Sequence, residues 1–220
     1  MARVNQSVLD WSKPSSDTVF AGGAGNRLTA ALSVTAFGLS AAANINVGVN
    51  TTAFGRNALT FSTGNSNTAV GSSAGTSVTT GANNNFIGTL SGRSCTTGSS
   101  NIAVGNQALD AVTTGSNNVG VGTLAGLTST GAGCIFIGDF AGRNCTTGND
   151  NTIIGRHQGA AGMANTLILA TGTTARIRFD TTDGYQFDSM APAASAATAS
   201  THKIPIKIGG VTYNLLATTA

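Results

Sequence analysis

The side chains that could do chemistry in this 220-residue chain are few and widely spaced. All eight acids are aspartates, at 10, 17, 110, 139, 150, 180, 183 and 188, and they are joined by two histidines and three cysteines. Cleaving a polysaccharide would need paired carboxylates. Asp139 and Asp150 fall in neighbouring copies of a repeat, and Asp180, Asp183 and Asp188 cluster near the C-terminal end. Asp183 precedes Gly184 and Asp139 follows Gly138, so turns account for both. His157 and His202 stand alone, with no HxH pair or nearby carboxylate, so metal binding would need symmetry to bring copies together. Cys95, Cys134 and Cys145 are odd in number and lack CxxC spacing, which argues against a disulfide framework or a zinc site. The glycine-rich turns contain no GxxxxGK[ST]. No repeated position holds Asp, as calcium sites in a repeat would require. The expectation is therefore no enzyme, with no catalytic, cofactor-binding or metal-binding residue and no cofactor.

Composition narrows the partners. Only 9% of residues are charged, against roughly 25% in an average soluble protein. The net charge of +3 is carried by eleven scattered Lys and Arg residues, with no basic stripe to suit nucleic acid. The start, MARVNQSVLDWSKPSSDTVF, lacks the apolar core of a signal peptide, and no apolar run reaches 18 residues. Neither export nor membrane insertion is expected. A surface so poor in charge is either covered by partner chains or paved with Ser, Thr, Asn and Gly.

What positions these residues is a repeat. One Gly recurs at 55, 71, 88, 105, 122, 138 and 155, at spacings of 16 or 17 residues. Seven residues before each anchor stands another Gly, from Gly48 to Gly148, without exception. Four before it come Asn67, Asn84, Asn101, Asn118 and Asn151, with Thr51 and Cys134 as breaks. The residue just before the anchor is always apolar, from Phe54 to Ile154. Gly71, Gly88, Gly105, Gly122, Gly138 and Gly155, with the five Asn, are the candidate structural residues of the array. Gly38, at the end of VTAFG, extends it upstream, and NTLIL (Asn165 to Leu169) echoes NTIIG downstream.

Seventeen residues cannot hold two helices, and Val, Ile, Thr and Phe beside recurrent Gly and Asn read as short strands and tight turns. In Ser66–Gly81, NTAV and SVTT are expected as two strands of one coil, with Gly71 to Gly75 and Thr80-Gly81 as positive-φ corners. Stacked coils would form two parallel sheets at a spacing of about 4.8 Å, with the Asn column as an amide ladder. The fold class expected is all-β: a parallel β-roll or β-helix solenoid of 17-residue repeats, with a C-terminal hairpin region. Cys95 and Cys145 share a position with Val78 and Val112 and read as buried filler. The strands are apolar on both faces, which requires burial of both. One face needs a neighbour, so a homo-oligomer is expected.

The unit N-x-[AFI]-[VI]-G, followed by small residues and Gly, resembles the NSVAIG-type repeats of left-handed parallel β-rolls. These occur in the heads of trimeric autotransporter adhesins and in bacteriophage tail fibres. The resemblance covers about residues 34 to 170, and THKIPIKIGGVTYNLLAT resembles closing segments of cyanophage fibre proteins. It implies an intertwined homotrimeric rod and a virion protein assembled in the host cytoplasm: a phage tail fibre, held by other virion proteins of tail or capsid, that acts as rigid spacer or adhesin at the host surface and reaches a glycan there. A capsid-bound head fibre or decoration protein is the alternative, ahead of a bacterial adhesin head. The organisation expected is a docking or cap segment at 1–30, the shaft at 31–170, a hairpin at 171–188, a linker at 189–202 and a closing hairpin at 203–220.

Overall fold

A computed structural model describes residues 18–20, 32–45, 49–180, 184–186, 203–208 and 211–216. They contain no helix, and hence none long and apolar enough to cross a membrane. Ten strands run parallel: β1 (Thr18–Phe20), β2 (Leu32–Phe37), β3 (Val49–Phe54), β4 (Thr68–Val70), β5 (Asn85–Ile87), β6 (Ile102–Val104), β7 (Val119–Val121), β8 (Ile135–Ile137), β9 (Thr152–Ile154) and β10 (Leu167–Thr171). Each pairs with its copy in the next turn of the chain, so like residues stack: Ala69 on Phe86, Phe86 on Ala103, Ala103 on Gly120. This is a parallel β-solenoid of 16- or 17-residue rungs.

Each rung of the shaft holds one short strand where two were expected. SVTT forms no strand. The N–H of Val78 turns back to the Gly75 carbonyl (3.1 Å), and the N–H groups of Thr79 and Gly81 share one acceptor, the Thr96 carbonyl. A second ladder needs one acceptor per donor in succession, and this geometry does not supply it. The chain bends instead through residues at positive φ, such as Ser73 (φ 56°), Gly75 (φ 56°) and Asn83 (φ 59°), repeated in most rungs. Gly81 is not among them, which corrects the corner expected there. Its glycine is needed because a Cβ would run into the carbonyl of Gly98 below. The anchor glycines satisfy both conditions: Gly105 has φ +133°, and a Cβ on it would lie 2.5 Å from the Gly122 oxygen.

Side chains alternate across the sheet. The middle residue of each short strand points inward, and with small residues from the turns it fills a continuous thin core. Breaks in one column are matched by breaks in another. Phe86 and Phe136 intrude where the rungs before Ile153 otherwise carry Ala or Gly, and the turn residues against them are glycines: a Cβ on Gly75 would lie 2.7 Å from the Phe86 ring, and one on Gly126 2.5 Å from that of Phe136. Leu59 and Leu109 replace that turn glycine only where the facing strand residues are small, as at Ala69 and Gly120. Core volume is thus held constant by exchange between neighbours. The exchange repeats as a group of three rungs. Leu59, Phe86 and Cys95 recur 50 residues later as Leu109, Phe136 and Cys145.

Both ends of the array differ from the sequence reading. The parallel ladder begins one rung early, at β1, within the segment taken as a docking piece or cap. Residues 1–17 and 21–31, with Trp11, lie outside the described residues. At the other end Leu167, Ile168 and Leu169 pair with Thr152, Ile153 and Ile154, one residue out from the alignment of NTLIL with NTIIG. Asn165 takes the positive-φ turn position (φ 51°) and Ile168 is buried. The alternative register would have turned Ile168 outward. The sheet then reverses: β11 (Thr174–Asp180) runs antiparallel to β10 around Gly172, and β12 (Gly184–Gln186) runs antiparallel to β11. The second hairpin is the one expected, whereas the first was not. Ser189–Ala220 forms a separate unit, in which β13 (Lys203–Ile208) pairs antiparallel with β14 (Val211–Leu216), from Lys203 against Leu216 to Ile208 against Val211. The linker and His202 lie outside the described residues.

The volume exchange can be tested by transplanting it. Phe86→Ala alone is expected to cost about 3–5 kcal/mol, and Gly92→Leu alone to prevent folding against the Phe86 ring. The double variant reproduces the surroundings of Leu59 and should melt above both singles. Circular dichroism melts of the three variants make the comparison.

Candidate functional site

The site-like feature of this chain is a set of stacked columns. Asn67, Asn84, Asn101 and Asn118 are fully buried. The Oδ1 of each of the first three accepts two bonds from the next Asn below. For Asn84 on Asn67 these come from the backbone N–H (3.0 Å) and the side-chain amide (3.1 Å). The same pair recurs for Asn101 on Asn84 and for Asn118 on Asn101. Each Nδ2 also donates to a glycine carbonyl: Asn84 to Gly98 at 2.9 Å, Asn101 to Gly115 at 2.9 Å. The Gly column seven before the anchor and the Asn column four before it are therefore one device. Bare glycine lets the rungs stack close and leaves its carbonyl open to the amide.

Two residues interrupt the ladder. Thr51 is buried with its Oγ1 unpartnered. At Cys134 the backbone N–H still reaches the Asn118 Oδ1 (2.9 Å), but the side chain offers only a thiol, 3.4 Å from the Gly148 carbonyl. Asn151, past the break, donates to the Gly148 and Met163 carbonyls and accepts from the Thr166 N–H at 3.3 Å. The anchor glycines extend the strand pairing: the Gly71, Gly88, Gly105, Gly122, Gly138 and Gly155 N–H groups bond to carbonyls of the preceding rung at 2.7–2.8 Å.

Outward, the last residue of each strand builds an apolar stripe. Phe37, Phe54, Val70, Ile87, Val121, Ile137 and Ile154 are all exposed, Phe54 by 51%. Ile102 and Ile135 widen it from the adjacent position. The Phe37 and Phe54 rings stack at 4.8 Å. On another side of the rung, the exposed hydroxyls of Thr79, Thr96 and Thr130 each donate to the next rung's carbonyl at 3.1 Å.

Charged groups obey the same stacking. Arg93 makes two 2.9 Å bonds to Asp110, one rung below in the same column. The Asp110 side chain is 8% exposed; burial pushes its carboxyl above the ordinary value, against the Arg93 charge that pulls it down. Asp139 and Arg156, again one rung apart, approach to 3.6 Å. Sequence reasoning missed both pairs, although equal offsets from the anchors at 88 and 105, and at 138 and 155, marked them. Asp150 holds a turn at φ 56° and is exposed. His157 Nδ1 accepts the Gly159 N–H at 3.0 Å. Among the described residues no three His, Cys or acidic side chains converge as a metal site would need. Asp183, Asp188 and His202 lie outside those residues.

The three cysteines are buried and unbridged. Burial pushes the Cys95 and Cys145 thiols up to about 11, and raises Cys134 as well. No protein-family model matches the chain, and no curated protein or solved structure does.

Two expectations follow from this geometry. Asn101→Ala should destabilise by about 1–3 kcal/mol per chain, because it removes one of the two donors to the Asn84 oxygen, the acceptor of two Asn118 donors and the donor to the Gly115 carbonyl. Cys134→Asn should instead stabilise by about 1 kcal/mol by joining the two parts of the ladder; denaturant titration measures both. For the thiols the folded value of about 11 lies above the ordinary 9.0. The proton is held in both folded and unfolded chains below pH 9, so their contribution is complete there and is lost as pH climbs toward 11. Unfolding free energies at pH 8 and 10.5 should differ, and replacing both cysteines with Val should shrink the difference.

Proposed function

We propose that the chain is a structural virion protein: a homotrimeric bacteriophage tail fibre that serves as rigid spacer and adhesin at the host surface. The observation that carries this reading is the apolar stripe, which follows one sheet face of β2 to β9 rung after rung in a chain with 9% charged residues. Large exposed apolar surfaces of this kind mark association sites. Three copies around an axis along the stripe would set Phe37 on Phe37 and Ile137 on Ile137, because symmetry repeats each rung at one height. The virion assignment draws on the likeness of the N-x-[AFI]-[VI]-G unit to fibre and adhesin-head repeats. In this reading the protein catalyses nothing. It is held in the particle by tail or capsid proteins and takes its stiffness from the ladders.

Sedimentation should give about three times the 21.7 kDa chain mass. Val121→Asp, at an outward position, should yield folded monomer. A monomeric wild type would remove the trimer. Immunogold labelling of intact particles should decorate the tail, and labelling spread over the capsid would make the protein a head fibre or decoration protein instead.

A further inference from the structure

The 50-residue repetition allows one half of the shaft to be compared with the other. In the first half Arg93 follows Thr89 and Leu90, and the rung below supplies Asn106 and Asp110. In the second half Arg143 follows Asp139 and Phe140, and the rung below supplies Arg156 and Ala160 at the matching positions. At the sequence offset of the first arginine's buried counterion stands alanine, and a second cation has been added. The backbone register also differs: the Ser94 N–H bonds to the Asp110 carbonyl, but the Asn144 N–H to that of Gln158. Arg143 and Arg156 place their guanidinium carbons 5.4 and 5.1 Å from the Phe140 ring centroid. Among the described residues Asp139 is the one carboxylate in ion-pair range of this group, and it reaches Arg156 alone. Phe140 holds φ +58° at a turn position that Asn57, Ser73, Leu90, Gln107 and Leu124 fill at positive φ in other rungs, and it is the aromatic member of that set. Beside the arginines, the exposed Asn144 amide donates to Gln158 Oε1 at 3.1 Å.

We propose that Arg143 and Arg156, mounted on Phe140, form a binding site for oxyanion groups of an acidic surface polysaccharide. Stacking on the ring fixes the planes of both guanidiniums and leaves their N–H donors to pair with a carboxylate or phosphate. Two cations held together with one acid leave an uncompensated positive charge at Arg143, which an anionic ligand neutralises. The neighbouring amides suit sugar hydroxyls. This rests on the fibre reading only for the source of the ligand, a host surface polymer; the site itself is defined by the side chains.

The test is binding of the full-length protein to immobilised polygalacturonate, to polyphosphate and to dextran at low and physiological salt. Wild type should bind one or both acidic polymers and not dextran, and the preferred one identifies carboxylate or phosphate as the group recognised. Arg143→Gln should weaken binding by about tenfold, the scale of one charge-assisted contact. Arg56→Gln, an exposed arginine elsewhere on the shaft, should leave binding unchanged. Equal loss in Arg56→Gln and Arg143→Gln would reduce the effect to general charge and overturn the site, as would equal binding to dextran or none to either acidic polymer. Sedimentation and particle labelling report on the fibre reading independently, so a trimer on the tail that binds no acidic polymer overturns this site alone.

Discussion

Everything in this fold depends on how closely one rung sits on the next. At a strand spacing of about 4.8 Å, equivalent backbone atoms meet across rungs, and any side chain at a meeting point is excluded. That constraint selects two glycine columns, one by torsion and contact together, the other by contact alone. It also turns repetition into bonding. A buried amide that would cost free energy in isolation finds its partner in its own copy below, and the Asn67, Asn84 and Asn101 oxygens each collect two donors. The ion pairs follow the same geometry, since a residue's neighbour along the rod is the residue at the same offset.

The stacking separates two kinds of position. Inside, volume is conserved jointly by neighbouring rungs, with Phe answered by Gly and Leu by Ala or Gly. Outside, nothing in one chain constrains the apolar residue at the strand end, yet every rung from β2 to β9 carries one. Internal packing does not account for that regularity; the symmetric neighbour proposed above would. The corner near Phe140 departs from the rest in the opposite sense: it concentrates charge in a molecule that otherwise avoids it.

Much of this was legible as columns of letters. Period, anchor and Asn ladder need only alignment, because each residue in them acts on its own copy. What escaped the reading depends on distances between columns. SVTT is as β-prone as NTAV, but the Val78 N–H turns back to Gly75 and those of Thr79 and Gly81 converge on one carbonyl, so no second ladder runs on. The register at Asn165 turned on whether that residue joins the ladder or fills a turn, and its own letter allows both. The Leu–Phe exchange and the Arg93–Asp110 pair were present as exceptions. They become meaningful once one knows which columns touch.

The three-rung grouping bears on how such a rod can change length. A single rung may not be removed at will: taking out the one that contains Gly120 and Gly126 would set Leu109 against Phe136. Whole groups of 50 residues, from Gly55 to Gly105 or from Gly105 to Gly155, carry matching ends. A gene that gains or loses one such group would lengthen or shorten the shaft by about 14 Å, three strand spacings. The reach of the shaft would then vary in fixed steps, as though measured with a ruler of one division.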